Sequence, residues 1–392
     1  TRYAIEFQTW LRKNGHDCDT FASSDKKWGR RNAQPNDIKE FSTDAIPALA
    51  STLKSYDVLY FASLPSGGHS EDYRRAFFDH IVELTGPFKV MSQHDHKMQS
   101  LNRNDRIWEV VTRMDAALTH SLTSPFAKKM AQVAPGVPVG KLSVGFDFDS
   151  MRPLWKPVSE QLKRVTFLGR FATFKDPGRL VEMQPLIKGI GMVTELRGIE
   201  RSLGALELFY TDVNDRANSY RANIIETERE LKRGNPVDVM STEKAHIYGP
   251  YDREAGLAEL SRSMFGVNFY HLPAESYGDN TEYAQCEVIG AGTVPLLDSH
   301  WAAHCRHAQT GQLMSEIEDY AIFVGKDPAS FPAAVAEMDR LANDPAARDA
   351  RRERCFEITR AHCGNDVAFG SVISEIELSM QKARTPETQT AQ

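Results

Sequence analysis

From Asp57 onward, short apolar runs alternate with amphipathic segments, and this exchange of strand and helix periods restricts the chain to a parallel α/β architecture. The spacing predicts a strand over Asp57–Ser63, a helix over Glu71–Leu84, a strand over Phe88–Ser92, a helix over Asp105–Met114 and a strand over Ala116–His120. A Pro-rich, aromatic stretch from Phe146 to Pro157 interrupts the pattern and is the best candidate for a domain linker. The pattern then restarts. Strands are predicted over Arg164–Leu168, Met192–Arg197, Ala245–Tyr248, Gly266–Tyr270 and Thr293–Leu297, with helices over Arg253–Ser263 and Thr281–Ile289 between them. Two successive units of this size predict an α/β protein of two doubly wound, Rossmann-like domains facing each other across a cleft. The expected division is residues 1–150, residues 151–365, a C-terminal helix over 366–383 crossing back to brace the first domain, and a polar, disordered tail over 384–392.

At the chain's start, Tyr3, Phe7, Trp10 and Leu11 mark one face of a helix, and Asn14-Gly15 is a helix stop. A doubly wound domain ordinarily begins with a strand and a Gly-rich turn. With Thr1 standing where Met would open a gene product, the sequence is expected to lack that strand and loop, about 10 to 20 residues. The highly charged, poorly periodic segment from Asp212 to Asp238 is read as an insertion or a lid.

Composition excludes several function classes. The chain has 53 acidic against 47 basic side chains and a formal charge of −6, so any nucleic-acid contact must come from a local basic patch. The apolar runs fall far short of the ~20 residues needed to cross a bilayer, and no signal-peptide pattern opens the chain. Five scattered cysteines, Cys18, Cys286, Cys305, Cys355 and Cys363, never occur in C-x-x-C spacing, which fits a reduced, cytosolic protein.

Three constellations carry chemistry. Ser92-Gln93-His94-Asp95-His96 follows a predicted strand directly. Polar groups at the carboxyl end of a parallel strand point into a ligand crevice, where Asp95 can accept a proton and His94 can hydrogen-bond a hydroxyl; the competing reading is a solvated loop. Leu168-Gly169-Arg170 ends the first strand of the second unit, with Lys175 following at a helix start. A guanidinium, an ammonium and free helix N–H groups there suit a diphosphate, although such a pair is also common on ordinary surface. No G-x-x-x-x-G-K-[ST] or G-x-G-x-x-G pattern is present.

The third constellation is Glu282 to Glu287, followed by Ile289-Gly290-Ala291-Gly292-Thr293. The two carboxylates are separated by about 140° of helix rotation, so they share a ligand only by meeting different hydroxyl groups. Otherwise they are an exposed pair ahead of a Gly helix stop. Two metal-like patterns are set aside. His300, His304 and His307 recur at i, i+4 and i+7 without the Glu of H-E-x-x-H, and Asp147-Phe148-Asp149 imitates a D-x-D motif from within the candidate linker.

Taken in order, Gln93-His94-Asp95-His96 with Ser100-Leu101-Asn102-Arg103-Asn104, Gly169-Arg170 with Lys175, Gly198-Ile199-Glu200-Arg201-Ser202, and Glu282 to Glu287 with Gly290-Ala291-Gly292-Thr293-Val294-Pro295 resemble the DNA α-glucosyltransferases of T-even bacteriophages. The similarity runs from Thr1 to about Ala361; the segment from Asp212 to Asp238 and the region after Asp298 depart from the family pattern. The resemblance implies the GT-B fold and a retaining transferase. Such an enzyme moves sugar from a UDP-sugar, UDP-glucose being the expected donor, to the hydroxymethyl group of 5-hydroxymethylcytosine in double-stranded DNA, which disguises phage DNA from host nucleases.

By the same resemblance, the first domain takes the DNA and the second the nucleotide sugar. Arg170 and Lys175 bind the diphosphate, Glu287 the ribose hydroxyls and Glu282 the donor sugar; Gly169 and Glu200 join the donor site, and His94 and Asp95 face the reacting centre. The target nucleotide is expected to flip out of the duplex, with Lys97, Arg103, Arg106 and Arg113 as phosphate contacts. No tightly bound metal and no membrane are expected, and the chain is expected to be a monomer in the cytoplasm of an infected bacterium. Two alternatives stay open: a GT-B transferase with a glycan or small-molecule acceptor, and a non-catalytic nucleotide-sugar-binding or DNA-binding protein.

Overall fold

The computed structural model describes residues 2–24, 38–62, 64–65, 69–93, 107–143, 145–171, 175–200, 238–241, 246–248, 253–269, 283–303 and 321–384. These fall into two compact units, one built from residues up to Gly145 together with those from Asn365 onward, the other spanning Phe146 to Gly364.

The first unit opens with the helix Arg2–Lys13, which ends at the predicted stop, where Gly15 takes a positive φ of 84°. Two strands that sequence periodicity missed follow, β1 (Thr20–Ser23) and β2 (Ile38–Phe41), paired in parallel. The main sheet is parallel and consecutive: β3 (Val58–Phe61), β4 (Phe88–Gln93), β5 (Ala116–Thr119) and β6 (Val139–Lys141). The predicted helix over Glu71–Leu84 is an α-helix only to Phe77 and then widens into a π turn over Phe78–Val82. One sheet face is filled by Leu59, Met91 and Ala117 against Ile46, Phe77, Ile81, Phe126 and Met130. Tyr3 and Phe7 of the first helix meet Tyr60 of β3 and Phe369 of the last helix, Asn365–Arg384, as an aromatic cluster with ring centroids 5.1–6.5 Å apart. The Trp10 indole N–H donates to Asp366 at 2.7 Å, fixing the same two helices together.

The second unit holds a seven-stranded sheet in the order β13-β12-β11-β7-β8-β10-β9. Its strands are β7 (Leu162–Phe171), β8 (Val193–Glu200), β9 (Asp238–Ser241), β10 (His246–Tyr248), β11 (Ser263–Asn268), β12 (Val294–Asp298) and β13 (Ile322–Val324); β9 alone among them runs antiparallel to its neighbour. Every residue of β11 and β12 is buried, as required of parallel strands covered on both faces. Val165, Phe167, Val267 and Leu296 pack against Leu180, Met183 and Ile187 of the helix Pro177–Gly189 and against Phe331, Val335 and Met338 of the helix Phe331–Asn343.

The Phe146–Pro157 stretch differs from its reading as a linker. Phe146, Phe148 and Met151 are core residues of the second unit, and Trp155 donates to the Gly290 carbonyl at 2.7 Å. The aromatic content of the stretch signalled burial rather than exposure. The segment from 212 to 237, read as an insertion or lid, lies outside the described residues.

Candidate active site

In the second unit the strand order reverses at β7. The chain proceeds from β7 outward to β8 and β10, then returns to lay β11, β12 and β13 on the opposite side. At such a reversal of strand order, outside the carboxyl ends of the strands, a doubly wound sheet ordinarily takes its ligand.

Gly169 and Arg170 lie in the last residues of β7, and Lys175 follows the strand. β7 runs one residue past Arg170 and stays paired with β8 to its end, with Gly169 opposite Gly198, Arg170 opposite Ile199 and Phe171 opposite Glu200. The backbone thus brings Arg170 and Glu200 to adjacent strand ends. Gly169 adopts φ 157°, and two facing glycines keep side chains off the ladder just where the strand leaves the sheet. Lys175 is half-buried and precedes the helix Pro177–Gly189 by two residues rather than starting it.

Glu287 sits on the helix Tyr283–Gly290, which follows β11 and precedes β12. Its neighbours Gln285, Cys286, Val288 and Ile289 are buried, whereas Glu287 is half-buried and within the first two turns from the carboxyl edge of the sheet. The helix stop read at Gly290-Ala291-Gly292 is real. Gly292 has φ 76°, and a Cβ there would come within 2.5 Å of the Trp155 ring, so both conformation and contact demand glycine. Glu282 lies outside the described residues.

In the first unit, β4, a central strand, ends at Gln93; His94 and Asp95, with Lys97, Arg103 and Arg106, lie outside the described residues. Beside that end, burial pushes the Tyr60 phenol up to about 12 despite hydrogen bonds to Ser92 and Tyr3. Arg113, expected at phosphate, donates from Nε to Glu83 at 2.9 Å on the surface. An exposed pair of this kind is worth at most about 1 kcal/mol and exchanges readily for another anion.

Neither metal-like pattern forms a site among the described residues. Asp147 caps the short helix Phe148–Met151, and Asp149 pairs with Arg360 at 3.0 Å. His300 stacks edge-on against Trp301, while His304 and His307 lie outside the described residues. No group of three His, Cys, Asp or Glu suited to a metal occurs among the described residues.

Sequence reasoning missed one cluster at this sheet edge. Asp298, the last residue of β12, pairs with the buried Arg179 at 2.7 Å, and Arg179 also binds Asp176. Asp298 satisfied the same strand-end criterion that singled out His94, so it was findable. Arg179 was not, because burial of an arginine leaves no trace in local periodicity.

The DNA alpha-glucosyltransferase family model matches residues 1–308. The chain belongs to that family. DNA alpha-glucosyltransferase of Enterobacteria phage T4 is 23% identical over 394 residues, covering 94% of each chain. Among solved structures, an alpha-glucosyltransferase in complex with UDP and a 13-mer DNA containing an HMU base superposes with a TM-score of 0.80 at 22% identity, over 96% of this chain and 95% of that one. A second, in complex with UDP-glucose and DNA containing an abasic site, gives 0.80 at 21% identity over the same shares. The two parallel α/β units are accordingly those of the GT-B fold, and the family makes the chain a glucosyltransferase. No described helix is long and apolar enough to cross a membrane.

Proposed function

We propose that this chain transfers glucose, with retention, from UDP-glucose to the hydroxymethyl group of 5-hydroxymethylcytosine in double-stranded DNA, acting as a monomer in the cytoplasm of an infected bacterium. The observation that carries the reading is the reversal of strand order at β7, which sends Gly169, Arg170 and Lys175 to the same sheet edge as the helix bearing Glu287 in a member of this family. Arg170 and Lys175 take the diphosphate. As the bond between the anomeric carbon and the diphosphate oxygen breaks, negative charge grows on UDP, and fixed cations stabilise it without having to reorganise. Glu287, ionised, accepts from both ribose hydroxyls; Glu282 holds the transferred sugar and Glu200 completes the donor site.

An aliphatic hydroxyl is a poor nucleophile until its proton has a destination. Asp95, one residue past His94 at the end of β4, receives that proton as the acceptor oxygen bonds to the anomeric carbon, and His94 orients the hydroxyl. Lys97, Arg103, Arg106 and Arg113 hold phosphates around the flipped nucleotide, and the surface pair of Arg113 with Glu83 opens to do so.

The test is mass spectrometry of DNA incubated with UDP-glucose and the protein. Hydroxymethylated DNA gains a hexose, while unmodified DNA of the same sequence binds yet gains none. Asp95→Asn lowers turnover about 100-fold or more with UDP affinity intact. Faster transfer to a free sugar, lipid or protein than to hydroxymethylated DNA overturns the reading.

A further inference from the structure

The start of the helix Pro177–Gly189 departs from the ordinary geometry of a helix N-terminus. An Asp at this position normally adopts an extended backbone and turns its carboxylate onto the first N–H groups. Asp176 instead has φ 42° and ψ 50°, a left-handed conformation that is strained outside glycine. Its side chain makes no cap hydrogen bond to the helix. The carboxylate Oδ2 is taken by Arg179, from Nε at 3.0 Å and from Nη2 at 2.7 Å. Pro177 carries no N–H, and the Arg179 N–H reaches only the Asp176 carbonyl at 3.3 Å.

Arg179 itself is only 2% exposed. Nη1 donates to the Val324 carbonyl at 2.9 Å at the end of β13, Nη2 lies 2.7 Å from Asp298 Oδ2 at the end of β12, and the guanidinium carbon sits 4.7 Å from the ring of Phe269, just past β11. Asp298 is 3% exposed at its side chain, and its Oδ1 accepts the His300 N–H at 2.7 Å. One guanidinium therefore gathers the carboxyl ends of β11, β12 and β13 and the segment leaving β7. Buried charges of this kind add little stability over well-packed apolar groups. A held geometry is the better account of them.

We infer that Arg179 is a positioning residue for the donor diphosphate: by drawing the Asp176 carboxylate to itself, it keeps a negative charge and a competing cap off the helix end that follows Lys175, and it ties that end to β12 and β13. The ligand is the diphosphate of a nucleoside diphosphate, and the inference rests on the donor site proposed above. A helix N-terminus cleared of its own carboxylate attracts an anion through its dipole and N–H groups; one carrying a loose carboxylate repels it.

Calorimetry with UDP and with uridine separates this role from a general structural one. Arg179→Lys leaves a cation for Asp298 but lacks the planar fork, so Asp176 is released. UDP affinity is expected to fall about 10-fold or more, while uridine affinity stays within about 2-fold. Adding Asp176→Gly, which suits φ 42° and removes the charge, is expected to return UDP affinity to within about 3-fold of the unaltered protein.

Equal losses for UDP and uridine, or no recovery in the double variant, overturn the inference. Should Arg179→Lys not fold, Asp176→Gly alone decides. It changes UDP affinity by less than about 3-fold because Arg179 already holds the carboxylate away, and a larger change in either direction overturns the inference. Unaltered protein that fails to bind UDP at all refutes the donor site itself, whereas UDP binding without recovery refutes only Arg179.

Discussion

The two units hold themselves together by different means. In the first, the buried polar side chains among the described residues include no Asp, Glu, Lys or Arg; they are amides, hydroxyls and His120. Its helices are joined by rings, with Phe369 fully buried against Tyr3 and Phe7. In the second, Arg164, Arg179, Glu195, Asp298, Arg348 and Arg352 are all buried. Arg164 binds Glu195 at 3.1 Å and Ser263 at 2.8 Å, linking β7, β8 and β11, and Arg348 donates to the carbonyls of Leu341 and Val158. Apolar contacts are tolerant of small displacements, whereas ion pairs and hydrogen bonds fix angles and distances. The unit whose strand order reverses at β7 is also the one in which strand ends are fixed by charge.

The sharpest way to break this contrast is Arg164→Met, which takes one of two cations from the buried Glu195 and the donor from Ser263 and the Glu259 carbonyl, and is expected to cost about 3–5 kcal/mol. Adding Glu195→Met should recover part of that loss, because it removes the buried carboxylate left with a single cation, while Arg197 keeps Glu259 at 3.7 Å. In the first unit Phe369→Ala is expected to cost a comparable ~3–5 kcal/mol, but as a cavity it offers no such partner to delete. Chemical denaturation of the three variants checks this, and failure of the Glu195 substitution to rescue would remove the ionic account.

Gly292→Ala is next, at about 1–3 kcal/mol, since it must hold a positive φ and displace Trp155 from the end of the Glu287 helix. Thermal melting reads the loss, and an unchanged melt would show that the turn tolerates a side chain.

Within the donor site the two glutamates should fail differently. Glu287→Ala weakens UDP about 10-fold, whereas Glu282→Ala leaves UDP within about 2-fold and weakens UDP-glucose. Calorimetry distinguishes them, and equal losses would reject the division of roles.

The smallest effect is in the first unit. Hydrogen bonds from Lys39 and Tyr56 hold the Asp19 carboxyl below the usual range, and the bond to Asp19 pushes the Tyr56 phenol up to about 12. A folded pKa below the unfolded value means the stabilisation is present above the unfolded pKa of about 4 and is lost as pH falls through the folded pKa. Asp19→Asn should therefore cost about 0.5 kcal/mol at neutral pH and converge with the unaltered protein in acid. Parallel melting curves from neutral to acid pH would contradict this.

Much of the fold was legible. The predicted strands Phe88–Ser92 and Thr293–Leu297 agree with β4 and β12 to within one residue at each end, because a buried parallel strand announces itself as a short apolar run between turns. β1, β2, β6, β9 and β13 were missed, being only three or four residues long, too short for any period to register. Gly169, Arg170, Lys175 and Glu287 were legible as site candidates from their places at strand ends and on a helix.

What the sequence determined by itself, then, was local: which segments extend, which coil, where a helix must stop at Gly292, and which polar residues stand at strand ends. Those follow from steric and hydrophobic preferences acting over a few residues. Only the tertiary structure decided the order of strands about β7 and the company kept by Arg179, whose Nη1 donates to a carbonyl 145 residues away. Contacts of that separation are selected by the closing of a whole sheet, and neither partner carries a local signature of the other.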